Sequence, residues 1–373
     1  MTEAAPSASA TTTREPGATT LADLTTLRVG GPVRDLHETS SEAELLDVVR
    51  EADASGTPLL VLGGGSNVLA SDEPFEGVVV RDLRRGLETR ESSACAGADV
   101  VVPAGEVWDD LVARAVDEGW SGVEALSGIP GSVGATPVQN VGAYGQEVGD
   151  VLAFVRTWDR ARARIKTFAR SELGLGYRTS LLKRSFTADA DGVAWGPTPR
   201  YVVLEVGLQI PHATLSAPIR YAELARSLGA EVGERVPAAR VRETVLELRR
   251  GKGMVLDAAD PDTWSAGSFF TNPLLSTQAA AALPEDAPRF PIGDDAGTVK
   301  SSAAWLISHA GFERGHGLPG PASLSTKHSL ALTNRGGASA QDVLALAREV
   351  RDGVEAAFGV LLEAEPVLVG VTL

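Results

Sequence analysis

The sequence predicts a mixed fold of helices and strands, α+β or α/β, divided into more than one domain. Three observations carry that expectation. Strand-like and helix-like patterns alternate through the first third of the chain. A second helix–strand series follows a turn-rich middle. The length, 373 residues, suggests two to three domains at roughly 150 residues each.

The elements follow in order. Residues 1–18 are rich in Ala, Ser, Thr and Pro without any period, and read as a disordered tail. Ser41 with Glu44 forms a capping box. Leu45, Val48, Val49 and Ala52 then keep helical spacing until Gly56 stops the helix. Pro58–Leu62, Gly77–Leu83 and Val100–Pro103 read as strands. Trp108, Leu111, Val112 and Ala115 form a helical stripe ending near Gly119. Residues 151–169 and 200–210 look β-rich. Leu204, Val206, Leu208 and Ile210 alternate with polar or small residues, as in a half-buried strand. Residues 186–199 read as a loop, and 211–218 as a linker at a domain boundary. Beyond it, 238–250 is a helix, Ser339 with Asp342 opens another, and Pro366–Leu373 is a final strand.

Composition removes several function classes. Lys+Arg number 34 against 49 Asp+Glu, a net charge of −15. Such a chain is a poor non-specific partner for nucleic acid or for an anionic membrane surface. The single cysteine, Cys95, excludes an intrachain disulfide and a Cys-cluster metal site. His37, His212, His309 and His316 lack ligand spacing, so no metal is expected. There is no apolar run of about 18 residues and no basic-then-apolar leader pattern. A cytoplasmic chain is the expectation, and a monomer.

The 40 glycines are partly gathered into three clusters. Gly63-Gly64-Gly65-Ser66-Asn67 leaves the strand at Leu59–Leu62. Backbone N–H groups of such a run can form an anion nest, although a plain tight turn is equally compatible. The Walker A lysine is missing, and the third glycine of a dinucleotide fingerprint is replaced by Val68. The second cluster runs from Gly128 to Gly145. It is too rich in Gly and Pro for regular structure and has little side-chain bulk, so main chain can lie flat against a large ligand. The third is Ser265-Ala-Gly-Ser268-Phe-Phe-Thr-Asn-Pro273.

Taken in order, Leu62–Asn67, Gly128–Gly145, Gly176-Tyr177-Arg178 and Ala266–Pro273 resemble the UDP-N-acetylenolpyruvoylglucosamine reductase family across about residues 21–373. The resemblance implies α+β architecture. A two-lobed FAD-binding domain of the vanillyl-alcohol-oxidase (PCMH) type is expected over 19–213. A C-terminal α+β substrate-binding domain is expected over 214–373, its last strand free to return to the first lobe. It further implies non-covalent FAD, NADPH as cosubstrate, and reduction of UDP-N-acetylglucosamine enolpyruvate to UDP-N-acetylmuramate for peptidoglycan synthesis. Hydride passes from flavin N5 to C3, and a proton is added at C2.

The resemblance also assigns residues. Arg178, Ser268 and Glu365 take catalytic roles. Arg178 would fork onto the substrate carboxylate, Glu365 as a neutral acid would polarise the enolate, and Ser268 would donate the C2 proton. Gly63, Gly64, Gly65, Ser66, Asn67, Gly131, Ser132, Gly134, Thr136, Gln139, Asn140, Gly142 and Tyr144 would hold FAD. Tyr177, Tyr221, Lys252, Asn272 and His328 would meet the substrate. Tyr221 marks the larger subgroup, whose tyrosine covers the substrate diphosphate. The chain departs from the family pattern at Thr271, at Ala364–Val367, which lacks an arginine, and in the longer Gly253–Thr263 stretch. Two other classes compete: an oxidase on the same flavin fold, and a phosphotransferase built on the Gly63 loop. The missing lysine and acidic metal pair oppose the second.

Overall fold

The computed structural model describes residues 19–187, 193–292 and 297–373. The tail expected over 1–18, and 188–192 of the expected loop, lie outside the described residues.

The first lobe holds a three-stranded parallel sheet. Phe75–Asp82 runs between Val33–Thr39 and Leu59–Val61. The helix Glu42–Ser55 packs on it through Leu45, Leu46, Val49 and Ala52. Its termini follow from the sequence: the Ser41–Glu44 capping box forms, and Gly56 takes a left-handed φ of 68° at the C-cap.

The second lobe is a five-stranded antiparallel sheet in the order 164–169, 152–159, 201–210, 97–103, 88–93. Trp108–Asp117 lies against it, burying Trp108, Leu111, Val112 and Ala115. The lobes share apolar contacts: Leu45, Val49 and Val80 pack with Trp158, Val202 and Leu204. Ion pairs reinforce the joint, with Arg156 gripping Glu42 at 2.7 Å and Arg160 gripping Asp53 at 2.6 Å.

The C-terminal part builds its own core. The long helix Ala340–Phe358 buries Val343, Leu346, Ala347, Val350 and Val354. These pack with the hairpin Ala322–Leu324/Leu332–Asn334 and with Phe269 and Phe270. The chain then returns, and Val367–Val369 pairs in parallel with Val68–Ala70 of the first lobe. This strand is shorter than the one expected over Pro366–Leu373. It has only three partners there, and Gly370 at φ 68° turns the chain away.

Residues 211–218 are not a free linker. Ala213 N donates to Gly119 O at 2.8 Å, and Ser216 N to Val236 O at 2.7 Å. Ala217 N donates to the fully buried carboxylate of Glu124 at 2.7 Å. A fully buried carboxylate needs protein donors, so it fastens the segment. The helices Ala222–Leu228 and Ala238–Gly251 that follow pack Leu224, Val241 and Val245 around Ala125.

Among the described residues, no helix is long and apolar enough to cross a membrane, and no cluster of His, Cys, Asp and Glu is arranged to hold a metal.

Candidate active site

A cavity of about 1170 Å³ lies where the two lobes meet the C-terminal part. This exceeds the roughly 300–1,000 Å³ of typical small-ligand pockets, so a ligand of dinucleotide size has room.

One wall is bare backbone. Gly63–Asn67 and Ile129–Gly134 face each other across it. A Cβ on Gly64 would lie 2.7 Å from Gly131 Cα, so no side chain fits between the loops. Ser66 Oγ ties them by donating to Pro130 O at 2.9 Å. No backbone N–H from Gly63 to Asn67 donates to a protein acceptor among the described residues. A run of unused donors at the exit of a strand fits an anionic diphosphate. The cavity and this wall therefore suit FAD.

The opposite end carries charge. Tyr177 and Arg178 form a tight turn in which Arg178 takes φ 51°, an uncommon conformation for a non-glycine residue. Arg178 Nη2 donates to Gly142 O at 3.2 Å, and Arg178 Nε lies 3.0 Å from Glu365 Oε1. Glu365 is 9% exposed, whereas its neighbour Glu363 is exposed. The two carboxylates therefore do not form a solvated pair. A chain of amides joins this end to the glycine wall. Asn67 Nδ2 donates to Gln139 Oε1 at 3.2 Å, and Gln139 Nε2 donates to Glu365 Oε1 at 3.3 Å. Asn67 also donates to Glu365 O, and Val367 N to Asn67 O, through the returning C-terminal strand.

Ser268 lies on the cavity wall just after Gly267, whose φ is 75°. The buried Phe269 and Phe270 anchor it from behind. Its hydroxyl makes no hydrogen bond to the described protein residues and is free for a ligand. Tyr177 accepts a bond from Asn272 N at 3.2 Å, and burial raises its hydroxyl pKa. Asn272 Oδ1 accepts from Ala303 N at 2.9 Å.

Most of the residues expected from sequence line this cavity: Arg178, Ser268, Glu365, Tyr177, Asn272, Gly63–Asn67, Gly131, Ser132, Gly134, Thr136, Gln139 and Gly142. Five do not. Asn140 is buried, and its side chain is spent on Glu147, Gly176 O and Gly149 N. Tyr144, Tyr221, Lys252 and His328 gather beside the cavity around Glu223. Lys252 Nζ pairs with Glu223 at 2.5 Å, and the rings of Tyr144 and Tyr221 meet edge-on at 5.7 Å. Burial, helped by the positive Lys252 and Arg314, lowers the His328 pKa to about 4. Burial raises Tyr144 to about 12.

Arg249 is a cavity residue that sequence reasoning missed. Its Nε is buried without a partner, while Nη2 donates to Met254 O at 2.9 Å. Burial lowers its pKa to about 10, against the pull of Tyr144 and Asp109. A buried guanidinium with an unused donor at a cavity wall is a site for an anion or a carbonyl oxygen. In the sequence it is one of two adjacent arginines near a helix end, which marks nothing.

Two family models match the chain. An FAD binding domain covers residues 36–168, and a UDP-N-acetylenolpyruvoylglucosamine reductase C-terminal domain covers residues 260–369. A UDP-N-acetylenolpyruvoylglucosamine reductase of Cutibacterium acnes is 55% identical over 355 residues, spanning 95% of this chain and 90% of its own. One from Thermobifida fusca is 53% identical, spanning 95% and 97%. The crystal structure of the Thermus caldophilus reductase superposes with a TM-score of 0.61 at 27% identity, covering 94% of this chain and 97% of its own.

Proposed function

The chain belongs to the UDP-N-acetylenolpyruvoylglucosamine reductase family, an FAD-dependent oxidoreductase of cell-wall synthesis, and from that premise we propose how its residues divide the reaction. The substrate is UDP-N-acetylglucosamine enolpyruvate and the reductant is NADPH. FAD, when bound, would supply the hydride transfer between the two, to C3 of the enol ether.

The chain's own residues do the rest. The free N–H groups of Gly63–Asn67 take the cofactor diphosphate. Arg178 receives the substrate carboxylate, where negative charge grows when C3 gains hydride. Glu365, whose carboxyl lies 3.0 Å from Arg178 Nε, polarises the enolate that forms beside it. Ser268 Oγ–H gives its proton to C2, and its uncommitted hydroxyl supports that role. Arg249 offers the buried Nε to a ligand oxygen. Lys252 and His328, gathered beside the cavity around Glu223, take the UDP diphosphate, Lys252 by exchanging Glu223 for it. Tyr221, half exposed at 48%, covers it.

The observation that carries this reading is convergence. Arg178, Ser268 and Glu365 come from three distant segments and reach the same cavity as the glycine wall. The test is whether purified, yellow protein oxidises NADPH only when UDP-N-acetylglucosamine enolpyruvate is present. Full-rate oxidation driven by oxygen alone would favour an oxidase instead.

A further inference from the structure

The structure gives the stretch Gly253–Thr263 a grip. A short turn, Pro261–Thr263, buries Asp262 to 5% exposure. The Asp262 carboxylate accepts from Thr326 N at 2.8 Å, from Thr326 Oγ1 at 2.6 Å and from Arg335 Nη1 at 2.8 Å. Asp260 adds Lys327 Nζ at 2.5 Å and caps Asp262 N at 3.0 Å. Lys327 is thereby committed to a protein carboxylate. Two aspartates thus hold the turn that leads into His328.

The same segment runs straight into the Ser268 loop. Trp264 O accepts from Asn334 N at 3.0 Å, Ser265 O accepts from Thr26 Oγ1 at 2.7 Å, and Phe269 N donates to Leu330 O at 2.8 Å. Asp262 is six residues before Ser268, and the Thr326 it holds is two residues before His328. It belongs to neither the cavity wall nor the glycine loops.

We infer that Asp262 is a positioning residue that sets the Ser268 loop against the Ser325–His328 turn. This rests on the reading of Ser268 as proton donor. A carboxylate with three donors fixes both segments at once, and a shift of about 1 Å in a reacting group costs about 100-fold in rate. Asp262 acts through Ser268 and touches no ligand.

The test compares the two half-reactions of Asp262→Asn holoenzyme. Flavin content and reduction by NADPH should stay within about twofold of wild type, while reoxidation by saturating UDP-N-acetylglucosamine enolpyruvate slows about 10- to 100-fold. Thr326→Val removes one donor to the same carboxylate and should slow reoxidation in the same direction by less. It also reports on the contact if Asp262→Asn yields no soluble protein. In the double variant the effects should fall short of the sum. Reoxidation at the wild-type rate in both variants, or equal loss of both half-reactions, overturns the inference. Failure of wild type to be reoxidised by the UDP-sugar at all would instead overturn the parent reading.

Discussion

The two ends of the cavity recognise ligand by opposite means. At the Gly63–Asn67 and Ile129–Gly134 wall, main chain does the work, and the residue requirement is absence of bulk. At the Arg178–Glu365 end, polar side chains do it, and the requirement is a guanidinium and a carboxyl group at a fixed place. The contrast teaches what each end tolerates. A backbone wall is broken by a methyl group and is indifferent to pH. A charged end is broken by neutralisation while its shape survives.

The sharpest way to separate the ends is chemistry against binding. Ser268→Ala should leave flavin bound and reducible by NADPH, while reoxidation by the substrate falls by about 10²- to 10⁴-fold, the usual range for a lost proton donor. Stopped-flow absorbance of each half-reaction checks this, and equal loss of both would contradict the donor role.

Next comes Arg249→Met. Removing a charged hydrogen-bond donor costs about 1.5–3 kcal/mol, or about 10- to 100-fold in affinity for the ligand it meets. Titration of FAD and of the UDP-sugar identifies which one. No change in either would remove Arg249 from the site.

Gly64→Ala probes the other end. Its Cβ would meet Gly131 Cα at 2.7 Å, and backbone cannot retreat as a side chain can. Overpacking of this kind costs about 1–3 kcal/mol, so FAD affinity should fall by about tenfold while NADPH reduction of the flavin still bound keeps its rate. Normal FAD retention would mean that the two loops do not close on the cofactor.

The smallest effect is on acid stability. His328 titrates near 4 when folded, against an ordinary 6.5. Between those values the unfolded chain binds the extra proton, so stability is lost as pH falls from 6.5 towards 4. Chemical denaturation across that window should be steeper in pH for wild type than for His328→Gln. Identical slopes would show that His328 is not held neutral by burial.

How far this was legible in sequence follows the same contrast. The glycine wall could be read because small residues in a row have few other uses, and the helix caps at Ser41 and Ser339 because capping is local. The Glu365 end was readable only through family resemblance. Its partners Arg178 and Gln139 come from distant segments, and the link depends on the C-terminal strand pairing with Val68–Ala70. Arg249 and Asp262 were silent because burial gives them their meaning, and burial is a tertiary property. Asn140 shows the reverse. It sits among cavity residues in sequence, yet its positive φ of 46° turns its amide to Glu147 and Gly149. The 211–218 segment looked loose because nothing local revealed the buried Glu124 that fastens it.

The most direct test of the central claim is anaerobic. Protein purified with its flavin is reduced by NADPH and then mixed with UDP-N-acetylglucosamine enolpyruvate. The account requires the blue-light absorbance of oxidised flavin to return at a rate set by the UDP-sugar, with one UDP-N-acetylmuramate formed per flavin. A protein that holds no FAD, or a reduced flavin that the UDP-sugar leaves bleached, would contradict it.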